Sequence, residues 1–227
     1  MKLSSETINL LQSFAQISAN LLVKPGNKIS IRNAQNSIQA RATVKESFDT
    51  PFAVYDLNQL LSLISVAQDP DIEFGEKSMA IRSASGSEVE YFYADASLIP
   101  TPAETLPNLE DVYTFNVSAS DIGEITKTAS IVSATMMNVV SNNGKVTLSV
   151  NDPKNSTSHS MKRVLGDCTE SFNVKMAIDS FKVVPDSYRV RVTRVVAKNG
   201  NKAGVFVFES TTRDVIYLIA ADQTSKV

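Results

Sequence analysis

The chain has 227 residues, 43% apolar and 20% charged, which is the composition of a folded globular chain long enough for two domains and not of a disordered or fibrous one. It has no run of 18 apolar residues to cross a membrane, no secretory signal at Met1, Lys2 and Leu3, one cysteine (Cys168) and one histidine (His159); this excludes an internal disulfide framework and a His-pair or His-triad metal site, and a cytosolic chain is expected. The net charge of −2 excludes a domain that is basic all over, yet residues 1–110 hold 8 Lys and Arg against 13 Asp and Glu, and residues 111–227 hold 14 against 11, so that opposite potentials can orient a head-to-tail contact between subunits.

The first predicted element is a helix over 4–17. Ser4 caps it, Glu6 suits the positive end of the dipole, and Leu10, Leu11, Phe14 and Ile17 form one apolar stripe. After the turn residues Pro25, Gly26 and Asn27, alternation predicts strands over 28–32, 36–44 and 52–55. Asp56 caps a second helix that buries Leu57, Leu60, Leu61 and Ile64. Strands follow over 72–74, 79–82 and 88–93, ending in Ala94 and Asp95. Residues 98–110 contain Pro100, Pro102 and Pro107 and read as a linker, because proline removes backbone donors and favours extended chain. The expected domains are therefore 1–97 and 111–227.

Beyond the linker the order repeats. A strand over 113–117 leads to Ser118 and Asp121, spaced as a capping box, and to a helix burying Ile122, Ile125, Ala129 and Val132. Strands over 136–140 and 145–150 flank a hairpin turn at Asn142, Asn143 and Gly144. A polar stretch, 151–160, precedes a strand over 161–165; Phe172, Asn173 and Val174 echo Phe52, Ala53 and Val54. A short helix is predicted over 178–184, stopped by Pro185, and strands over 188–197, 205–209 and 215–220 end in Ala221 and Asp222. Each half thus reads as helix, strands, helix, three strands. A duplicated plan accounts for it.

The opening Met1, Lys2, Leu3 and Ser4, the stretch with Leu10, Leu11, Phe14, Ala15 and Ile17, and the segment Tyr55, Asp56, Leu57, Asn58 and Leu60 resemble the sliding clamps of T-even-type bacteriophages. So do Ala94 and Asp95 before a Pro-rich connector, and Ala119 with Asp121 at the third helix. The resemblance implies an α+β DNA-clamp fold of two similar tandem domains, each with two helices on one face of antiparallel sheets, closing into a homotrimeric ring. It further implies a non-enzymatic processivity factor without cofactor or metal, in the cytoplasm of an infected bacterial host. Its implied partners are double-stranded DNA, held topologically and without sequence preference, a DNA polymerase C-terminal peptide, an ATP-driven clamp loader and late transcription factors. No membrane is among them. A ring-forming tail or baseplate protein of a phage particle is the alternative; it differs in stoichiometry and does not stimulate a polymerase.

A helix lining a DNA-filled hole presents a polar or basic face opposite its apolar stripe. Here those faces carry Ser5, Asn9, Gln12 and Gln16 on the first helix, Gln59 and Ser62 on the second, and Ser120, Glu124 and Lys127 on the third. The family pattern has basic residues on the first and third helices. Lys127 matches it, whereas Ser5 and Gln12 stand where lysines are expected. Lys2, Lys175 and Lys182, with Lys162 and Arg163, are further candidates for the hole. So neutral a lining predicts weak, shallowly salt-dependent DNA contact and retention by ring closure. The resemblance also implies an apolar partner groove, to which Leu98 and Ile99 are assigned as exposed apolar linker residues.

Other chemistry is set aside. No phosphate-binding glycine loop is present. His159 sits in a polar loop, Cys168 lies beside Asp167 and Glu170 without a cationic neighbour, and Asp69, Asp71, Glu73 and Glu76 fit no calcium-loop spacing. Arg189, Arg191 and Arg194 alternate with Val190 and Val192 and are placed with Thr193 on one face, as a stripe for a neighbouring subunit or an ordinary solvated strand.

Overall fold

A computed structural model describes residues 1–105, 107–155, 157–196 and 202–227. Two compact units make up the chain, Met1–Glu104 and Thr105–Val227. Unit 1 begins with α1 (Ser5–Ala15), then β1 (Leu21–Val23), β2 (Gly26–Arg32), β3 (Ile38–Phe48) and β4 (Phe52–Val54). It continues with α2 (Leu57–Val66), β5 (Asp71–Phe74), β6 (Ser78–Arg82) and β7 (Glu88–Phe92), followed by a 3-10 turn at Ala96–Leu98. In unit 2, β8 (Glu110–Val117) precedes α3 (Ala119–Ile131), β9 (Met136–Asn142), β10 (Lys145–Asn151), β11 (Met161–Asp167) and β12 (Phe172–Ala177). After a 3-10 turn at Ile178–Ser180 come β13 (Tyr188–Val196), β14 (Lys202–Ser210) and β15 (Val215–Ala220).

All strand pairings within the units are antiparallel. The units repeat one plan: β4 returns to pair with β1 as β12 returns to pair with β9, and three consecutive strands close each unit, β5-β6-β7 and β13-β14-β15. The fold is α+β.

The helix starts are chemical. Ser4 and Asp56 accept from the Thr7 and Gln59 amides, and Ser118 with Asp121 closes a reciprocal capping box. α1 has a further cap from outside itself: Glu46 of β3 accepts from the Ser4 amide and from the Thr7 hydroxyl, each at 2.5 Å. Behind the helices Leu10, Leu11, Phe14, Leu57, Leu60 and Ile64 fill the core of unit 1, and Ile122, Ile125, Met137, Val139, Leu148 and Phe206 that of unit 2. Asn143 and Gly144 both have positive φ (52° and 79°), as the tight hairpin between β9 and β10 requires.

Several expectations need correction. The helix over 178–184 is one 3-10 turn. Val183 and Val184 are β-branched, and Pro185 disfavours the helical conformation just before it. Side chains meet the freed backbone instead: Tyr188 Oη donates to the Val184 carbonyl at 2.6 Å, and the Val184 amide donates to Tyr217 Oη at 3.3 Å. Below this segment Asp186, 6% exposed, accepts from the Ser210 and Thr212 hydroxyls and faces Arg213. Among the described residues, unit 2 has one α-helix where two were expected.

The strand over 36–44 is displaced to Ile38–Phe48, because Asn36 turns at φ 55° and Asn33 Oδ1 accepts from the Ser37 and Ile38 amides. β1 adds a strand that the sequence does not announce, since three apolar residues give no alternation to read. In the strand expected over 188–197, Ala197 lies outside the described residues, as do Leu106 of the linker and Ser156 of the polar stretch. Residues 101–104 lie along unit 1, where Arg32 Nε donates to the Thr101 carbonyl at 2.9 Å, and Arg41 to the carbonyls of Ala103 and Glu104. Lys24 pairs with Glu104 at 2.8 Å.

The arginines of β13 do not form one stripe. Arg194 has the parity of Val190 and Val192, and Thr193, expected on the outer face, is fully buried with its hydroxyl on the Val205 carbonyl. Arg191 is held by Asp111 and Glu209, and Arg194 by Glu110 and Glu170. Both are ties within unit 2.

Candidate functional site

The apolar stripes of the three helices are buried, which turns their opposite faces outward. On α1 the exposed face carries Ser5, Asn9, Gln12 and Gln16; on α2, Asn58, Gln59 and Ser62; on α3, Ser120, Glu124 and Lys127. The α2 and α3 faces end in Val66 and Ile131, each 82% exposed. Lys127 is thus the one cation on these three helices; beside it and the exposed carboxylates of Glu6 and Glu124, the surface is hydroxyl, amide and aliphatic in character.

The remaining basic candidates fall elsewhere. Lys2 pairs with Asp69 at 2.5 Å, just ahead of α1. Lys175 is half-buried on β12 with its backbone tied to Ser225 and Asp222, and Lys182 is half-buried in the segment after the 3-10 turn. Lys162 is exposed on β11. Arg163, beside it, reaches α3, with one terminal nitrogen on Asp121 and the other 2.5 Å from Glu124 Oε2. Hydrogen bonds from the Ser118 amide and hydroxyl, together with Arg163, hold the Asp121 carboxyl down to about 2.

β7 in unit 1 and β11 in unit 2 each end a sheet with one side unpaired among the described residues. The free side of β5 is covered in part, since the Ile72 amide donates to the Met1 carbonyl and the Met1 amine to the Ile72 carbonyl. β7 presents Glu88 and Glu90 with Val89 and Phe92, the last 68% exposed; β11 presents Lys162 with Val164, 67% exposed. Edge strands in a solitary protein are normally short, charged or covered. Both expose apolar side chains among charged ones: β7 carries two Glu, and β11 carries Lys162 and Arg163 against Asp167.

A groove of about 560 Å³ runs beside β7, lined by Tyr55, Asp56, Gln59, Leu63, Phe92, Tyr93 and Leu98. One of its lining residues, Tyr93, joins the ring cluster of Phe52, Phe74 and Phe48, with centroids 4.9–5.7 Å apart. Leu98 is 68% exposed on the groove wall, whereas Ile99 is 6% exposed. The expectation of two open apolar residues therefore holds for Leu98 and fails for Ile99, whose side chain is buried. The groove itself is not legible in the sequence: it joins residues of a helix start to the end of a strand some 35 positions on.

Three members of the acidic group are engaged, Asp69 with Lys2, Asp71 with the Met1 amine, and Glu73 with Arg82. Among the described residues no group of three or more His, Cys, Asp or Glu is placed to hold a metal ion.

The fold is that of the sliding clamps. The chain matches proliferating cell nuclear antigen of Thermococcus kodakaraensis with a TM-score of 0.63 at 13% identity, over 98% of this chain and 99% of that one. The A. fulgidus protein, in a structure with the C-terminal region of FEN-1 bound, gives 0.63 at 12% identity over 96% of each. The H. pylori β clamp gives 0.66 at 10% identity, over 95% of this chain and 63% of that one. Identities so low speak for the fold alone.

Among phage proteins the likeness extends to sequence. The chain is 25% identical over 230 residues to the sliding clamp of Escherichia phage RB69, and 25% identical over 232 residues to that of Enterobacteria phage T4, with 99% of each chain covered in both cases. It is 25% identical over 199 residues to the sliding clamp of Vibrio phage KVP40, covering 85% of this chain and 90% of the other. No protein-family model matches. The resemblance to the T-even-type phage clamps thus holds along the whole chain.

Proposed function

We propose that the chain is a sliding clamp that closes as a homotrimer around duplex DNA and tethers a replicative polymerase, without catalysing a reaction. The observation that carries this reading is that, among the sheet ends of two units of one plan, the β7 edge and the β11 edge match each other in exposed side chains. β7, with Glu88, Glu90, Val89 and Phe92, is complementary in charge and apolar character to β11, with Lys162 and Val164. Joining the β7 edge of one copy to the β11 edge of the next is a heterologous contact, which either closes into a ring or runs on as a filament. With two units per copy, three copies make six similar units. The groove beside β7 lies on this seam.

The helix faces give the second part of the reading. Polar, nearly neutral surfaces on α1, α2 and α3 suit a wall that DNA slides along, with retention by closure and light help from Lys127. A clamp loader driven by ATP opens and places the ring; the polymerase and late transcription factors dock by short C-terminal segments, in the cytoplasm of the infected host. The FEN-1 segment seated on the A. fulgidus protein supports that manner of docking.

Light scattering behind size exclusion tests the assembly: three chains of 24.7 kDa give a particle of about 74 kDa by the closed-ring rule. Loading onto a nicked circle with loader and ATP, then cutting the circle, tests the retention. The clamp should stay on the circle and leave the cut DNA through its ends. A particle of another stoichiometry, or equal loss from circle and cut DNA, refutes the reading and returns the structural ring protein to first place.

A further inference from the structure

Arg163 is the most basic group near the helix faces, and its charge is spent locally. It sits on β11, 35% exposed, and reaches α3 with both terminal nitrogens, one on Asp121 and one on Glu124. The two carboxylates are not equivalent. Asp121 is fixed by the capping box, with its carboxylate on the Ser118 amide and hydroxyl at 2.8 Å. It neutralises Arg163 unaided. Glu124 is half exposed and bonds to nothing but Arg163 among the described residues. It lies one turn before Lys127, on the same outward stripe. Four charges, Asp121, Arg163, Glu124 and Lys127, therefore sum to zero on the one helix face that carries an outward cation.

We propose, resting on the clamp reading, that Glu124 determines the character of DNA contact: it occupies the Arg163 nitrogen that phosphate would otherwise take, and keeps the α3 face neutral so that the ring stays mobile. Arginine binds carboxylate and phosphate through the same planar fork, so the two compete for one donor set. Removing the Glu124 charge leaves Arg163 anchored by Asp121, with its other nitrogen facing at most a neutral amide oxygen that phosphate can displace, and leaves the face with a net positive charge next to Lys127. Glu124 acts through Arg163 and is a positioning residue.

The test is equilibrium binding of the assembled protein to a short fluorescein-labelled linear duplex, across about 50 to 200 mM salt. Each additional phosphate neutralised steepens the log–log salt dependence by about 0.9, which is about 3.5-fold more affinity lost over that range. Glu124→Gln should show at least that steepening relative to the unmodified chain. Glu124→Gln combined with Arg163→Gln should lose it again, because the donor is gone. If Glu124 only staples α3 to β11, thermal stability falls and the slope does not move; an unchanged slope, or a steepening that survives in the double variant, overturns the proposal. The circle-cutting experiment on the unmodified chain reports on the clamp reading separately, so the two fail distinguishably.

Discussion

Replacing Phe92 by alanine gives the sharpest test of the seam. Phe92 is 68% exposed at the end of β7, so it adds little to the fold of its own unit. Full burial of such a side chain is worth about 1.5–3 kcal/mol, and the two thirds now open are worth about 1–2 kcal/mol when a neighbouring copy covers them. A closed ring has three seams. Opening one should become about 5- to 30-fold easier, and dissociation to single chains about 10²- to 10⁴-fold easier, since each 1.4 kcal/mol is a factor of ten. A dilution series followed by light scattering measures this, and urea unfolding under conditions where the chain is already single should show no change. A variant that dissociates at the same concentration as its parent refutes the placement of the seam. One that loses stability as a single chain shows that Phe92 serves its own unit.

Two further outcomes follow from side chains inside unit 2. The Asp121 carboxyl lies at about 2 against an ordinary 3.8, so its stabilisation is complete above pH 3.8 and is lost as pH falls through 2. With Asp121 and Arg163 27% and 35% exposed, solvent screening leaves about 1 kcal/mol; the urea midpoint of Asp121→Asn should depend less on pH in that window, and parallel curves would refute the linkage. Tyr188→Phe removes the hydroxyl that satisfies the buried Val184 carbonyl and should cost about 1–3 kcal/mol. A thermal midpoint equal to the parent's would show that the carbonyl finds another donor.

Much of the fold is legible because its signals are local. Ser4, Asp56 and the pair Ser118 and Asp121 announce their helices within four residues, and Asn143 with Gly144 fixes a hairpin by backbone chirality alone. Where partners are distant, the reading fails. Residues 178–184 have a helix-like apolar spacing, but their backbone is claimed by Tyr188 and by Tyr217. Arg163 meets Asp121 across 42 positions, and no pattern along the chain connects them. Leu98 and Ile99 differ by one position and by everything in environment, because the 3-10 turn at Ala96–Leu98 leaves one outside and sends the other in. The polar faces of the helices follow from periodicity; the groove beside β7, assembled from two separate elements, does not.

Glu46 carries a consequence for how unit 1 tolerates change. Because a strand residue caps α1 at Ser4 and Thr7, the helix start is locked to the frame of β3. An extra residue in the loop before Ile38 leaves that frame intact and is absorbed at the surface. The same insertion just after Ile38 sends the carboxylate to the opposite side of the sheet, strips the helix of its outside cap, and turns Ala40, Ala42 and Val44 out of the core. Length variation among related chains should therefore gather ahead of the strand and be missing from within it.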